Sequence, residues 1–232
     1  MSQPKINRFD QDAASWDDNP MRIALMKAVG EAILHQARPT KNMDVLDYGC
    51  GTGLVGLYLL PHVRSVIGAD NSAGMLEVLR KKIKDGGLEN MRTMRLDLER
   101  DTVPAGRYHM IVSSMALHHI ADMDRILGAF HELLHPQGFL CLADLDTEPG
   151  TFHTSDMAPS VHHRGFDRAG LKARLSEIGF HDAKDVTAHT LRKPVENGGE
   201  REFPVFLITA RKKKLFAGGL LKPTITDGWF LS

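Results

Sequence analysis

Short apolar segments alternate with amphipathic helical segments along most of the chain, and this alternation limits the possible folds more than any other feature. The predicted strands cover residues 44–46, 65–69, 91–96, 108–113 and 139–143. The predicted helices begin after Asn19, at Leu54, after Ser72, at Asp122 and after Asp167. Strands that alternate with helices form a parallel sheet with helices on both faces. We therefore predict an α/β fold with a Rossmann-like, doubly wound sheet.

Two further predicted strands, 184–189 and 203–210, follow the last helix. The short segment that joins them predicts an antiparallel hairpin at one edge of the sheet. With 232 residues, the chain suits one such domain with a sizeable buried core.

The charge balance limits the classes of ligand. The 29 basic and 29 acidic residues give a net charge of zero, so no overall field attracts nucleic acid or an anionic membrane. We find neither the apolar run of a signal peptide nor about 20 consecutive apolar residues that would span a bilayer. The two cysteines, Cys50 and Cys141, suggest neither a disulfide framework nor a zinc site. We expect a cytoplasmic protein with a small-molecule substrate, and the sequence leaves the oligomeric state open.

A glycine-rich turn follows the first predicted strand and reads Asp47-Tyr48-Gly49-Cys50-Gly51-Thr52-Gly53. Glycines at such a turn let the chain reverse sharply and let a ligand approach the backbone closely. Three glycines at alternate positions exceed what a simple strand–helix turn needs. The turn therefore indicates a binding loop.

This loop is compatible with two classes of cofactor. Residues 51–56 also fit the G-x-G-x-x-G pattern of dinucleotide sites, with Asp70 near the spacing of a ribose-binding acid. Asp47 opposes that reading, because a carboxylate there would repel a pyrophosphate at the helix N-terminus. The same carboxylate suits a cationic ligand without phosphate, such as S-adenosylmethionine.

Two more acids follow predicted strands. Asp70 ends the second strand and is placed to accept both ribose hydroxyls, and Asp97 follows the third strand. Asp97 is placed to accept from an adenine amino group, with Leu98 against the ring. Since the carboxyl ends of parallel strands meet at one edge, Asp47, Asp70 and Asp97 predict a single crevice.

The order and spacing of these motifs resemble those of class I S-adenosylmethionine-dependent methyltransferases. The motifs are Asp47-x-Gly49-x-Gly51-x-Gly53, Asp70, Asp97 and the segment from Ser113 to Ile120. The resemblance spans roughly residues 5–210 and is closest to a small-molecule branch that includes quinone-biosynthesis C-methyltransferases. Tyr48 departs from the family, which often has a smaller or aliphatic residue at that position.

The resemblance implies a seven-stranded sheet, mostly parallel with an antiparallel last strand. It implies a cofactor-covering helical segment at 1–38, which forms one domain with the methyltransferase core at 39–211, and leaves 212–232 as a tail of unknown role. It also implies S-adenosylmethionine as cofactor, with S-adenosylhomocysteine as product. The expected cofactor-binding residues are Trp16, Asp47, Gly49, Gly51, Gly53, Asp70, Asn71, Met75, Asp97, Leu98 and Ser114.

The acceptor side is expected to carry titratable groups. In-line methyl transfer needs a base only where the acceptor must lose a proton. Candidates are His118 and His119 after the fourth strand, and Asp144 and His153 in a long segment after the fifth. The two adjacent histidines are equally compatible with shaping the loop. We interpret the segment from Asp144 to Phe166 as a substrate wall or lid, with a polar surface loop as the alternative.

A metal site and two other functions remain as alternatives. His153, His162 and His163 are possible ligands, but their spacing and the lack of a nearby cysteine argue against them, so we predict no metal. A NAD(P)-dependent oxidoreductase is disfavoured by Asp47. A non-catalytic S-adenosylmethionine-binding subunit stays open, because a binding crevice and an active site look alike in sequence.

Overall fold

The computed structural model describes residues 8–153, 160–194 and 198–214. The helices are α1 (Arg8–Asp12), α2 (Pro20–Ala37), α3 (Leu54–Leu59), α4 (Ala73–Asp85), α5 (Met123–Leu133) and α6 (Arg168–Ile178). The strands are β1 (Asp44–Tyr48), β2 (Ser65–Asp70), β3 (Met91–Arg95), β4 (Tyr108–Ser114), β5 (Leu134–Leu145), β6 (Phe180–Pro194) and β7 (Glu200–Lys212). Short 3-10 helices cover Ala13–Asp18, Leu60–His62 and Leu117–His119. The predicted tail beyond residue 214 lies outside the described residues.

These strands form a seven-stranded sheet in the order β3-β2-β1-β4-β5-β7-β6. The first five pair in parallel, whereas β7 runs antiparallel to both β5 and β6. The predicted doubly wound sheet and its antiparallel last strand are confirmed. The hairpin at the edge is also confirmed, with β6 outermost.

The predicted helix starts agree with the observed caps. Asn19 Oδ1 accepts a hydrogen bond from the Met21 N–H at 3.0 Å, and Ser72 Oγ accepts from the Met75 N–H at 3.1 Å. Asp167 caps α6 in the same way. Each cap satisfies a backbone donor that has no partner within its helix, which is why these short polar residues set the starts.

The fifth strand differs from the prediction. Helix α5 ends at Leu133, and β5 begins at Leu134, which pairs with Tyr108, so the strand starts well before the predicted range 139–143. Both β6 and β7 are longer than predicted, with 15 and 13 residues. Backbone pairing between the two strands continues to Pro194 of β6 and Glu200 of β7. Both strands therefore extend beyond the apolar residues from which they were predicted.

Two apolar layers enclose the sheet. On one face, α5 and α6 pack against residues such as Leu46 and Ile111. On the other face, α2 and α3 pack against alternate residues such as Val45 and Met110. Both faces are covered because neighbouring strand residues point to opposite sides. Among the described helices, none combines the length and apolar character that a membrane span requires.

The N-terminal segment is held on the sheet edge by two aspartates. Asp10 accepts from Ser72 Oγ at 2.6 Å and from the Gly74 N–H at 2.8 Å. Asp17 accepts from Thr52 Oγ1 at 2.6 Å and forms an ion pair with Lys82 at 2.5 Å. This segment therefore bonds to both the glycine loop and the start of α4.

Replacing Phe130 by alanine is expected to lower the free energy of unfolding by about 3–5 kcal/mol. Phe130 is fully buried, and its ring meets the Tyr48 ring edge to face with centroids 5.3 Å apart. Urea unfolding followed by circular dichroism measures the loss. Lys81→Ala, at a side chain that is 76% exposed, is the control and should change stability by less than about 0.5 kcal/mol. Similar losses in the two variants would contradict the core described above.

Candidate active site

A cleft of about 480 Å³ opens at the carboxyl ends of the parallel strands. It lies between β1 and β4, where the strand order reverses. From β1 the chain continues to β2 on one side, and from β4 it continues to β5 on the other side. Crevices of this kind are the usual ligand sites of open α/β sheets. Residues that end β1, β2 and β4 line the cleft, including Asp47, Asp70 and Ser114.

The glycine loop forms the floor of the cleft. The Gly49 and Cys50 N–H groups both donate to the Ala69 carbonyl, at 2.8 and 3.1 Å, which holds the loop to β2. Gly49 and Gly51 have positive φ angles of 69° and 54°, where glycine is favoured. A Cβ at Gly49 would lie 2.5 Å from the Ala116 Cβ, whereas the nearest atoms to one at Gly51 are 3.9 Å away. Gly51 is therefore the glycine that keeps space free in the cleft.

Asp47 is a buried carboxyl group, 2% exposed, that lines the cleft. Its Oδ2 accepts from the Gly56 N–H at 3.0 Å. Burial, with a smaller contribution from the nearby Asp70 carboxylate, raises the pKa of Asp47 to about 7 against the opposing effect of the Gly56 bond. None of the groups that shift this pKa is a cation. A positively charged ligand group would therefore stabilise the ionised form.

Asp70 ties the end of β2 to the glycine loop. Its Oδ2 accepts from the Gly51 N–H and its Oδ1 from the Ser72 N–H, both at 2.8 Å. Burial raises the pKa of this carboxyl group, while the backbone hydrogen bonds oppose the rise. Because each carboxylate oxygen can accept more than one bond, Asp70 retains capacity for ligand hydroxyls.

Two residues predicted to bind the cofactor, Leu98 and Gly53, do not line the cleft. Leu98 is 1% exposed and does not line the cleft, whereas Leu96 does, beside Asp97. The Leu98 N–H donates to the Tyr48 hydroxyl at 3.1 Å, so the unusual tyrosine anchors this turn from within the core. Gly53 is also absent from the cleft lining, and a Cβ there would lie 2.4 Å from Leu79.

The N-terminal segment and α4 complete this half of the cleft. Trp16 lines it, with its Nε1 3.9 Å from the Cβ position of Gly51, and the Arg22 guanidinium lies 3.6 Å from the Trp16 ring centre. Asn71 and Met75 line it as predicted from the sequence. Their predicted cofactor contacts stay predictions.

Three histidines, His118, His119 and His153, form what we call the histidine cluster on the opposite side of the cleft. The ring centroids of His118 and His119 are 4.2 Å apart. The His153 centroid lies 4.9 Å from that of His118 and 5.5 Å from that of His119. All three residues line the cleft. Ser114 lies nearby, with its Oγ 3.6 Å from the Met26 sulfur.

The cluster is anchored by hydrogen bonds behind it. His118 Nδ1 lies 2.7 Å from Asp144 Oδ1, and His119 Nδ1 lies 2.7 Å from the Ser160 carbonyl oxygen. Burial, opposed by the Ser160 bond, lowers the pKa of His119 to about 4. Burial and the neighbouring imidazoles lower the pKa of His153 to about 3. Both rings are therefore neutral at pH 7.

Asp144 does not have the direct role predicted for it. The residue is fully buried and does not line the cleft. Its carboxylate accepts from the His118 and Leu145 backbone N–H groups as well as contacting the His118 ring. Asp144 therefore contacts the cleft only through His118, whose ring it holds in place.

Part of the cleft wall was not predicted. Lys193 of β6 lines it, donating to the Phe152 carbonyl at 2.7 Å with its ammonium 4.1 Å from the Phe152 ring centre. No motif marks Lys193 in the sequence. The predicted lid from Asp144 to Phe166 contributes Phe152 and His153 to the cleft, and residues 154–159 lie outside the described residues.

Comparison with known proteins identifies the family. The methyltransferase domain family matches residues 45–138. An uncharacterized methyltransferase of Oceanobacillus iheyensis is 31% identical over 155 residues, which are 62% of this chain and 68% of that protein. One from Schizosaccharomyces pombe is 32% identical over 53% of this chain, and the match spans about half, 48%, of that protein. The chain belongs to the methyltransferase family.

A ubiquinone biosynthesis O-methyltransferase of Ruegeria pomeroyi is 27% identical over 71% of this chain and 72% of its own length. The predicted likeness to quinone-biosynthesis methyltransferases is thus confirmed, here with an O-methyltransferase.

Solved structures confirm the fold. The YcgJ protein of Bacillus subtilis superposes with a TM-score of 0.65 at 18% identity, covering 80% of this chain and 98% of that one. Phosphoethanolamine N-methyltransferase 2 of Haemonchus contortus, solved with S-adenosyl-L-methionine, superposes with a TM-score of 0.66 at 14% identity. That match covers 90% of this chain and 61% of the other.

Gly49→Ala and Gly51→Ala form a matched pair of tests for the loop. Both place a Cβ at positive φ, which costs about 1–2 kcal/mol, but only the Gly49 variant also meets Ala116. We expect Gly49→Ala to lower the free energy of urea unfolding more than Gly51→Ala. Equal losses, or a larger loss in the Gly51 variant, would show that contact with Ala116 does not limit the loop.

Proposed function

We propose that the protein transfers a methyl group from S-adenosylmethionine to a small-molecule acceptor. The observation that carries this proposal is a pair of carboxyl groups, the buried Asp47 and the half-buried Asp70, that line the cleft without a cation among the groups that shift their pKa values. Burying carboxylates in this way is unfavourable unless a ligand compensates for the lost hydration. A ligand with an ammonium, a sulfonium and a ribose supplies suitable partners.

The cleft residues fit the parts of that cofactor. Asp47 would hold its cationic methionine end, Asp70 the ribose hydroxyls, and Asp97 the adenine amino group, with Leu96 rather than Leu98 beside the ring. The space kept free at Gly51 allows the ligand to approach the backbone. When bound, the cofactor supplies a methyl group activated by its sulfonium and leaves as S-adenosylhomocysteine.

The protein's own part in methyl transfer is to align the reactants and to exclude water. Trp16 lies over the glycine loop on one side, and the histidine cluster faces the cleft from the other side. Asp144 holds the His118 ring through its Nδ1, which leaves Nε2 as the ring nitrogen that can act on a molecule in the cleft. A cleft of about 480 Å³ is of the size that holds small ligands. The names of two similar proteins, an enzyme of ubiquinone biosynthesis and a phosphoethanolamine N-methyltransferase, also favour a small acceptor.

The first test is calorimetric titration with S-adenosylhomocysteine. Wild-type protein is expected to bind it, and Asp70→Ala to lose at least about tenfold in affinity, because a buried ligand hydroxyl loses its acceptor. NAD is the control ligand. Binding of NAD in preference to S-adenosylhomocysteine would contradict the proposal and favour a dinucleotide enzyme, whereas binding without turnover across a broad acceptor panel would favour a non-catalytic subunit.

The affinity for S-adenosylhomocysteine should rise with pH up to about pH 7 and level off above it. The raised pKa of Asp47, about 7 in the free protein, means that its proton must leave before the carboxylate can pair with the ligand ammonium. The affinity rises with pH because only the deprotonated Asp47 carboxylate pairs with the ammonium. Below pH 7 the affinity should fall by up to about tenfold per pH unit.

Calorimetry in buffers of different ionisation enthalpy measures both the affinity and the released proton. Asp47→Asn is the matched variant, which keeps the shape of the side chain and should remove most of the pH dependence. An unchanged pH profile in that variant would assign the proton to another group and remove Asp47 from the ammonium site.

A further inference from the structure

We propose that the histidine cluster binds one divalent transition-metal ion of the zinc type, with a remaining coordination position open to the cleft. One ring nitrogen from each of His118, His119 and His153 lies within 4.8 Å of the others. A tetrahedral zinc ion holds nitrogen ligands at about 2.1 Å, which places them about 3.4 Å from one another. Small rotations of the three side chains would bring them to that spacing.

The hydrogen bonds behind the cluster select the nitrogen atoms that face the ion. The Ser160 carbonyl can only accept, so His119 Nδ1 carries the proton of that bond and His119 Nε2 keeps its lone pair. In the same way, the Asp144 carboxylate accepts from His118 Nδ1 and leaves Nε2 as the ligand atom. Metal-binding histidines typically donate their second nitrogen to a carboxylate or a carbonyl. Two of the three proposed ligands have this arrangement.

The third histidine supplies a further observation. His153 Nε2 is buried and has no hydrogen-bond partner within the described part of the chain. Buried polar atoms normally have a partner, so an unpaired imidazole nitrogen beside two others calls for a ligand. A metal ion shared by three imidazoles would meet that need.

The proposed ligands differ from the set of histidines considered from the sequence. The set considered there combined His153 with His162 and His163, and its spacing argued against a metal site. The fold instead brings His153 to His118 and His119, which follow β4. Three imidazole ligands suit zinc, and also cobalt, which can report on the same site.

The charges around the cluster indicate the remaining ligand. Asp144 places one carboxylate behind His118, while the Lys193 ammonium lies against Phe152, the neighbour of His153 in the chain. An anionic oxygen or sulfur atom is therefore the expected ligand at the open position. The binding site stands independently of the proposed function, whereas the following role rests on it. An acceptor hydroxyl held there would lose its proton to water and keep the electron pair on oxygen.

The test uses full-length, tag-free protein that has been stripped with a chelator and then titrated with Zn²⁺ and Co²⁺. We expect one strongly bound ion per chain and, with Co²⁺, the intense visible absorption of a four- or five-coordinate site. His153→Ala should weaken binding by about 100-fold or more, and Asp144→Asn by about 10–100-fold. His62→Ala removes an exposed histidine outside the cleft and should leave binding unchanged.

The same preparations are titrated with S-adenosylhomocysteine, which shows that each variant is folded and tests the proposed function separately. His153→Gln is a second variant of the same ligand for the case that alanine disturbs the fold. Absence of a strongly bound ion in the wild type, or unchanged binding in the folded His153 variants, would overturn the metal site. In either case, retained S-adenosylhomocysteine binding would leave the proposed function standing.

Discussion

Parallel pairing of β1 with strands on both sides is the constraint on which the site depends. Leu46 is in register with Ile67 of β2 and with Ile111 of β4, so the three strands reach the same edge together. The loops that follow them therefore open around one crevice. Without this pairing, Asp47, Asp70 and Ser114 would be separate residues at the ends of separate strands.

The chain maintains this crevice at a cost to its own stability. Two carboxyl groups, Asp47 and Asp70, lie in an environment that disfavours their charged forms. Backbone amides of the glycine loop and of the start of α4 offset part of that cost. The arrangement is typical of functional sites, where the environment of a group is adapted to a ligand rather than to folding alone.

Local features of this protein were predictable because their causes are local. Capping residues such as Asn19 and Ser72 act on backbone groups two or three positions away, and the glycines that mark the turn at Gly49 directly follow the first predicted strand. The positions of Leu98 and Asp144 were not predictable in this way. Leu98 turns into the core because its N–H meets a tyrosine fifty positions earlier in the chain.

The histidine cluster shows the same limit more strongly. Residues 118 and 119 are adjacent in sequence, but His153 reaches them only through the pairing of β4 with β5 and the path of the chain that follows. Lys193 lines the cleft because the pairing of β6 with β7 continues beyond the apolar residues from which these strands were predicted. Contacts of this kind depend on strand register and tertiary packing, which a single sequence does not display.

The bonds of the N-terminal segment also bear on access to the cleft. Asp10 and Asp17 attach this segment to α4 and to the glycine loop, and Trp16 lines the cleft beside Gly51. Moving this segment away from the cleft requires these bonds to break, so the Trp16 ring stays beside the glycine loop while they hold.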